Sequence, residues 1–144
     1  MAATVREAQQ TGVDPAARRA LVAASLVFLA GFALHNADHL RRGFDTVTTH
    51  VLVSGSATGV LTLVTIFLVL RGHGRAAELA FAVGFGMAVG VSLVHVTPYW
   101  SALSDSLPDG TVDGWTWAAV LAEIAGATCF GAAGWYAIRR GRRG

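Results

Sequence analysis

The residues best suited to chemistry form a short motif, His-Asn-Ala-Asp-His, at positions 35–39. If this segment is helical, His35 and His39 lie four residues apart on one face, one above the other. Histidine pairs that bind one metal ion from a helix use this spacing. Asp38 would lie on nearly the same face, as a metal ligand, an acceptor for a ring N–H or a general base. A structural alternative is an ion pair between Asp38 and Arg42, four residues further on.

Three more ionisable residues, His50, His95 and Glu123, lie within apolar segments. Ionisable groups in such segments are costly and by default indicate a functional site. His50 follows several threonines and could simply lie at a membrane interface, and His95 could be satisfied by a nearby polar group. Glu123 is harder to explain structurally, because a buried carboxyl must be protonated, paired or bound to a cation.

Imidazole and carboxylate ligands suit zinc, iron, manganese or copper(II), and we expect zinc or iron here. Cys129 is the only cysteine, so a thiolate site is not available. One ion with an open position, or two ions bridged by a carboxylate, would be compatible with these residues. The predicted metal ligands are His35, His39, His95, Glu123, Asp38 and His50, and the predicted catalytic residues are Asp38 and Glu123.

The composition indicates which elements must position these groups. Of the 144 residues, 53% are hydrophobic and 14% are charged, whereas a soluble domain carries roughly a quarter charged residues. The apolar residues form four segments, each with about the 20 residues needed to cross a bilayer. The sequence therefore predicts one all-α domain, an integral membrane four-helix bundle surrounded by lipid. Its predicted parts are an amphipathic lead at 14–20, spans at 21–40, 47–70, 76–96 and 115–138, and an outer loop at 97–114.

Local signals support two of these helix starts. Asp14 followed by Pro15 is a good beginning for the first helix, and Asp113 is a candidate N-cap for the fourth. The first apolar segment also has features of a signal peptide, but the polar stretch at 35–39 would be unusual at a cleavage site. Asp105 and Asp109 fall in the loop at 97–114 and are predicted to be solvated.

The basic residues predict the orientation of the bundle. With four spans, one side carries nine of the eleven basic residues, namely Arg6, Arg18, Arg19, Arg71, Arg75, Arg139, Arg140, Arg142 and Arg143. Because basic residues favour the cytoplasmic side, we expect a multi-pass protein of the cell membrane with both termini in the cytoplasm. Basic residues at span ends are explained by topology, so no nucleic-acid partner is expected. At a rise of 1.5 Å per residue, His35 would lie about 9 Å and Glu123 about 12 Å inside the outer ends of their helices.

Several functions remain open on these grounds. The first is a metal-dependent membrane enzyme, a hydrolase or an oxidoreductase, acting on a lipidic or extracytoplasmic substrate. The second is a b-type haem electron carrier, with His95 and either His35 or His39 as axial ligands. The third is a small accessory subunit of a larger membrane complex, and self-association is also possible. A proton or cation translocator is disfavoured, because the inner half of the bundle has few polar residues.

Overall fold

The computed structural model describes residues 14–142, and it is all-helical over that range. Arg6 and Arg143, which contributed to the predicted orientation, lie outside the described residues. Four helices are long and apolar enough to cross a membrane, as the composition predicted. The elements are α1 (Pro15–Arg42), a 3₁₀ turn (Phe44–Thr46), α2 (Thr49–Leu70), α3 (Ala76–Val91) with a π-helical continuation (Ser92–Val96), and α4 (Gly114–Gly141).

Helices α1 and α4 each start at a side chain that accepts a hydrogen bond from one of the first free amides. Asp14 caps α1, where its carboxylate accepts from the Ala16 amide at 2.8 Å, and Pro15 occupies the first position. Asp113 caps α4 in the same way, accepting from the Thr116 amide at 2.9 Å. Both caps were predicted. The lead at 14–20 is not a separate element, because α1 runs through it without interruption.

Helix α4 packs against both α1 and α3, so it forms the centre of the bundle. On one side, Phe28 of α1 meets Phe130 of α4 with ring centroids 5.6 Å apart, and both rings are fully buried. On the other side, Phe81 of α3 lies against Gly134. Helix α2 has the looser position, contacting α3 and, more weakly, α1.

A glycine sets the distance between α1 and α4 near the polar residues. A Cβ at Gly31 would lie 2.6 Å from the Ala122 carbonyl oxygen and 2.9 Å from the Glu123 Cα. The two backbones are therefore in direct contact at this level, one turn before His35. This close approach brings the side chain of Glu123 to that of His35.

The end of α3 departs from α-helical geometry. The Thr97 amide donates to the Ser92 carbonyl at 3.3 Å, a π-type bond that closes the continuation carrying His95. The following loop then folds back, and the Asp105 and Leu107 amides donate to the Val94 and His95 carbonyls, each at 2.9 Å. These bonds satisfy carbonyls that a helix end leaves free. They also hold the loop over the end of the bundle.

Candidate metal centre

His35, His39 and His95, here called the histidine cluster, meet where α1 and the π continuation of α3 end. Each offers a ring nitrogen, and these nitrogens all lie within 4.8 Å of one another. His35 and His95 are buried, and His39 is half-buried. A tetrahedral ion with bonds of about 2.0–2.1 Å holds its nitrogens about 3.3 Å apart. Small side-chain rotations would therefore let the three rings hold one ion.

Glu123 orients the first of these rings. Its Oε2 contacts the Nδ1 of His35, and both side chains are almost completely buried. In a neutral imidazole with its proton on Nδ1, the ring donates to the carboxylate and leaves the Nε2 lone pair free. The His35 Nε2 is indeed buried without a hydrogen-bond partner among residues 14–142. Carboxylate–histidine pairs of this kind are typical of metal sites.

The loop orients the second ring. The His95 Nδ1 lies 3.1 Å from the backbone carbonyl oxygen of Asp105 and 3.4 Å from its carboxylate. Both groups are acceptors, so Nδ1 carries the proton and Nε2 is again left with a free lone pair.

The third ring has a different neighbour. The Arg42 Nη2 lies 3.1 Å from the Nδ1 of His39. Because a guanidinium has only donors, the neutral His39 ring must accept at Nδ1 and carry its proton on Nε2. Coordination through the His39 Nε2 therefore requires Arg42 to release Nδ1. Two of the three rings therefore have an Nε2 lone pair that could bind an ion, and the third is held by Arg42.

A network of ion pairs surrounds the cluster. Asp38 is fully buried; its Oδ1 accepts from Arg41 at 2.8 Å and its Oδ2 from Arg42 at 3.0 Å. Arg41 extends the network to α4, with its Nη1 3.0 Å from the Asp113 carboxylate. Arg42 extends it to the loop, with its Nη2 3.3 Å from the Asp105 carboxylate. The network thus ties the end of α1 to the loop and to the start of α4.

The same contacts explain the acidity of Asp105. Burial raises the pKa of its carboxyl, but the hydrogen bond from His95 and the charge and hydrogen bond of Arg42 outweigh that effect and hold the pKa below its ordinary value. Asp105 is therefore ionised at neutral pH and offsets the charge of Arg42.

The structure brings four of the six predicted ligands together, three of them in the histidine cluster and one behind it. His35, His39 and His95 form the cluster, whereas Glu123 stands behind His35. Asp38 has both oxygens occupied by arginines, so the alternative of an Asp38–Arg42 pair is confirmed.

His50 is exposed at the start of α2 and does not belong to the histidine cluster. The expectation that Asp105 is solvated is wrong, because its carboxylate contacts His95 and Arg42.

Sequence reasoning missed Asp105 and the proximity of Arg42 to His39. Arg42 could have been found, since it lies three residues after His39 on one helix. Asp105 gave no such signal, because only the fold of the loop brings it back to the residue ten positions earlier.

The chain matches no protein family, no curated protein and no solved structure. Its function must therefore be inferred from the site itself.

Proposed function

We propose that this chain is a multi-pass protein of the cell membrane that binds one transition-metal ion through the histidine cluster. In this proposal both termini face the cytoplasm and the cluster lies at the extracytoplasmic end. All four helices expose large apolar side chains, among them Leu26, Val64, Phe67, Val89 and Leu121. Apolar surface on this scale is typical of contact with lipid.

The charges at the two ends support the orientation. At the cluster end, Arg41 and Arg42 are both paired with aspartates. At the other end, the described arginines outnumber the acids; they are Arg18, Arg19, Arg71, Arg75, Arg139, Arg140 and Arg142. A positively charged end of this kind favours the cytoplasmic side.

One observation carries the metal proposal: three imidazole rings each bring a nitrogen to the same place, and the His35 Nε2 is buried without a partner among the described residues. A buried polar atom without a partner is costly, so its presence needs a reason. A bound cation would satisfy it. Three nitrogen ligands favour zinc or iron over calcium or magnesium, which prefer oxygen.

Three protein ligands leave a coordination position open, which favours catalysis over a purely structural role. An ion with an open position can polarise a water molecule or a substrate oxygen. Arg42, once it releases His39, would lie beside that position and favour an anionic or polar group there. We therefore propose a metal-dependent membrane enzyme, a hydrolase or an oxidoreductase, whose substrate is lipidic or approaches from the extracytoplasmic side. Glu123 acts in this account as a positioning residue for His35.

Haem binding is less well supported by the geometry. Axial imidazoles on a haem iron stand on opposite faces of the porphyrin. Here the His35 ring centroid lies 4.7 Å from that of His39 and 4.7 Å from that of His95. These rings pack directly on one another, which suits a single ion better than an intervening macrocycle.

Metal analysis of the purified protein tests the metal proposal. We expect about one zinc or iron ion per chain in the wild type and loss of the metal in His35→Ala, His39→Ala and His95→Ala. His50→Ala and His73→Ala, which remove exposed histidines outside the cluster, are matched controls and should retain it. A metal content unaffected by the cluster substitutions would contradict the proposal.

Cysteine labelling of intact cells tests the orientation. In a Cys129→Ser background, Thr111→Cys in the loop should react with a membrane-impermeant maleimide, because Thr111 is exposed at the cluster end. Gly74→Cys, exposed in the turn at the opposite end, should react only after the cells are permeabilised. The reverse pattern would invert the orientation without affecting the metal proposal.

A further inference from the structure

A cavity lies at the end of the bundle opposite to the histidine cluster. It has a volume of about 410 Å³ and is bounded by the start of α1, the end of α2 and the start of α3. This volume falls within the range of small-molecule sites. The lining includes three polar side chains, Arg18, Arg71 and His73, and the apolar side chains of Leu21, Val69 and Ala77.

The polar side chains of the lining are basic, and no acid among the described residues lines the cavity. Neither Arg18 nor Arg71 forms an ion pair within residues 14–142. Of the acids that the structure describes at this end, Asp14 pairs with Arg140 at 3.6 Å, and Glu78 does not line the cavity.

His73 adds a hydrogen-bond donor to the two guanidinium groups. Its Nδ1 accepts from the Arg75 amide at 3.2 Å. A neutral imidazole that accepts at one nitrogen carries its proton on the other, so the His73 Nε2 is a donor. The cavity lining therefore combines an N–H donor and apolar side chains with two arginines that form no ion pair among the described residues. The Arg71 guanidinium also lies 5.3 Å from the centroid of the Phe67 ring.

We propose that this cavity binds the phosphate group of an anionic phospholipid from the cytoplasmic leaflet. Guanidinium groups bind phosphate with two parallel hydrogen bonds, and basic pockets between helices on the cytoplasmic side hold lipid headgroups. The apolar side formed by Leu21, Val69 and Ala77 would lie along the glycerol and the first acyl carbons. Assignment to the cytoplasmic leaflet rests on the orientation proposed above, but binding itself does not depend on it or on the metal.

Lipid titration of the full-length protein in detergent tests the proposal. The probes are phosphatidylglycerol and phosphatidylcholine, with binding followed by native mass spectrometry. The wild type should prefer phosphatidylglycerol by about tenfold, and Arg18→Gln/Arg71→Gln should lose that preference. The control, Arg139→Gln/Arg142→Gln, removes the same charge from the same end outside the cavity and should stay within about twofold of the wild type.

Equal losses in the two double variants would overturn the proposal, because they would show only a diffuse effect of charge. Equal binding of the two lipids by the wild type would overturn it as well. If the double cavity variant fails to fold, the single variants Arg71→Gln and Arg142→Gln replace the two double variants. Phosphatidylglycerol should then raise the thermal unfolding midpoint of Arg142→Gln as much as that of the wild type and the midpoint of Arg71→Gln by less, and equal rises would overturn the proposal. Binding of inorganic phosphate at least as tight as that of phosphatidylglycerol would identify the free anion as the ligand and overturn the lipid assignment.

Discussion

Substitution of Glu123 tests how the carboxylate behind His35 influences metal binding by the histidine cluster. Its carboxylate accepts from the His35 Nδ1, and its side chain is 2% exposed. Glu123→Gln keeps an acceptor for the His35 N–H but removes the negative charge. Glu123→Ala removes both the acceptor and the charge, so the His35 ring loses its fixed orientation.

The expected losses follow from this difference. Changing a carboxylate behind a ligating histidine typically weakens metal affinity by 10–100-fold. We expect Glu123→Gln to weaken zinc binding by about tenfold, since only the basicity of His35 falls. Glu123→Ala should weaken it by about 100-fold, because a buried N–H also loses its partner.

Competition titration of zinc against a chromophoric chelator measures these affinities in purified protein. Glu78→Gln is the matched control, because it removes the same charge from an exposed position on α3. Circular dichroism should show unchanged helicity in every variant that is compared.

Two results would refute this account of Glu123. If Glu123→Gln and Glu123→Ala both bind zinc as tightly as the wild type, the contact with His35 has no influence on the metal. If Glu123→Gln abolishes binding altogether, Glu123 is a direct ligand, as the sequence analysis predicted.

Three further predictions concern the surrounding structure. Gly31→Ala should destabilise the fold by about 1–3 kcal/mol and weaken metal binding, because its Cβ meets backbone that cannot yield, whereas Gly86→Ala should not destabilise it. Arg42→Gln should bind metal several-fold more tightly, because it removes a positive charge and frees the His39 Nδ1. Asp113→Ala should lower the thermal unfolding midpoint, and Asp113→Asn should restore most of it.

The last of these predictions depends on pH. The hydrogen bond from the Thr116 amide lowers the pKa of the Asp113 carboxyl below its ordinary value. A lowered carboxyl pKa stabilises the fold fully above the unfolded-state value of about 3.9, and this contribution is lost as the pH falls through the lowered value. Thermal melts of the wild type and Asp113→Asn should therefore converge in strong acid, and a difference that grows in acid would contradict the assignment.

The other two predictions also have refuting outcomes. A Cβ added at Gly86 would have no atom of the described chain within 4 Å, so equal effects of Gly31→Ala and Gly86→Ala would exclude close packing as the cause. Weaker metal binding by Arg42→Gln would show that Arg42 supports the site rather than competing for His39. Zinc titration and thermal melts of the same preparations distinguish these outcomes.

The helices could be predicted because their signals are local. Long apolar segments, the Asp14–Pro15 start and the Asp113 cap each depend on residues close in sequence, and the structure has all of them. The closeness of the three histidines in space was partly predictable for a related reason. Four spans place the end of α1 and the end of α3 at the same end of the bundle, so His35, His39 and His95 had to share a level.

The positions of Glu123 and Asp105 relative to the histidine cluster could not be predicted. Whether Glu123 coordinates an ion or stands behind His35 depends on the direct backbone contact at Gly31, which no helical periodicity encodes. The role of Asp105 depends on a loop that folds back onto the π-helical end of α3. Both features depend on tertiary contacts, and each of them decides the role of one residue, Glu123 in the first case and Asp105 in the second.

X-ray absorption at the metal edge tests the central claim most directly, because it reports the atoms around a bound ion. For the wild type loaded with zinc, we predict about three imidazole nitrogens at about 2.0–2.1 Å, with the remaining position filled by one oxygen ligand. His95→Ala should lose one imidazole from this shell, whereas His50→Ala should leave the spectrum unchanged. A shell without imidazole, or the same spectrum from His95→Ala, would contradict a metal centre built on the histidine cluster.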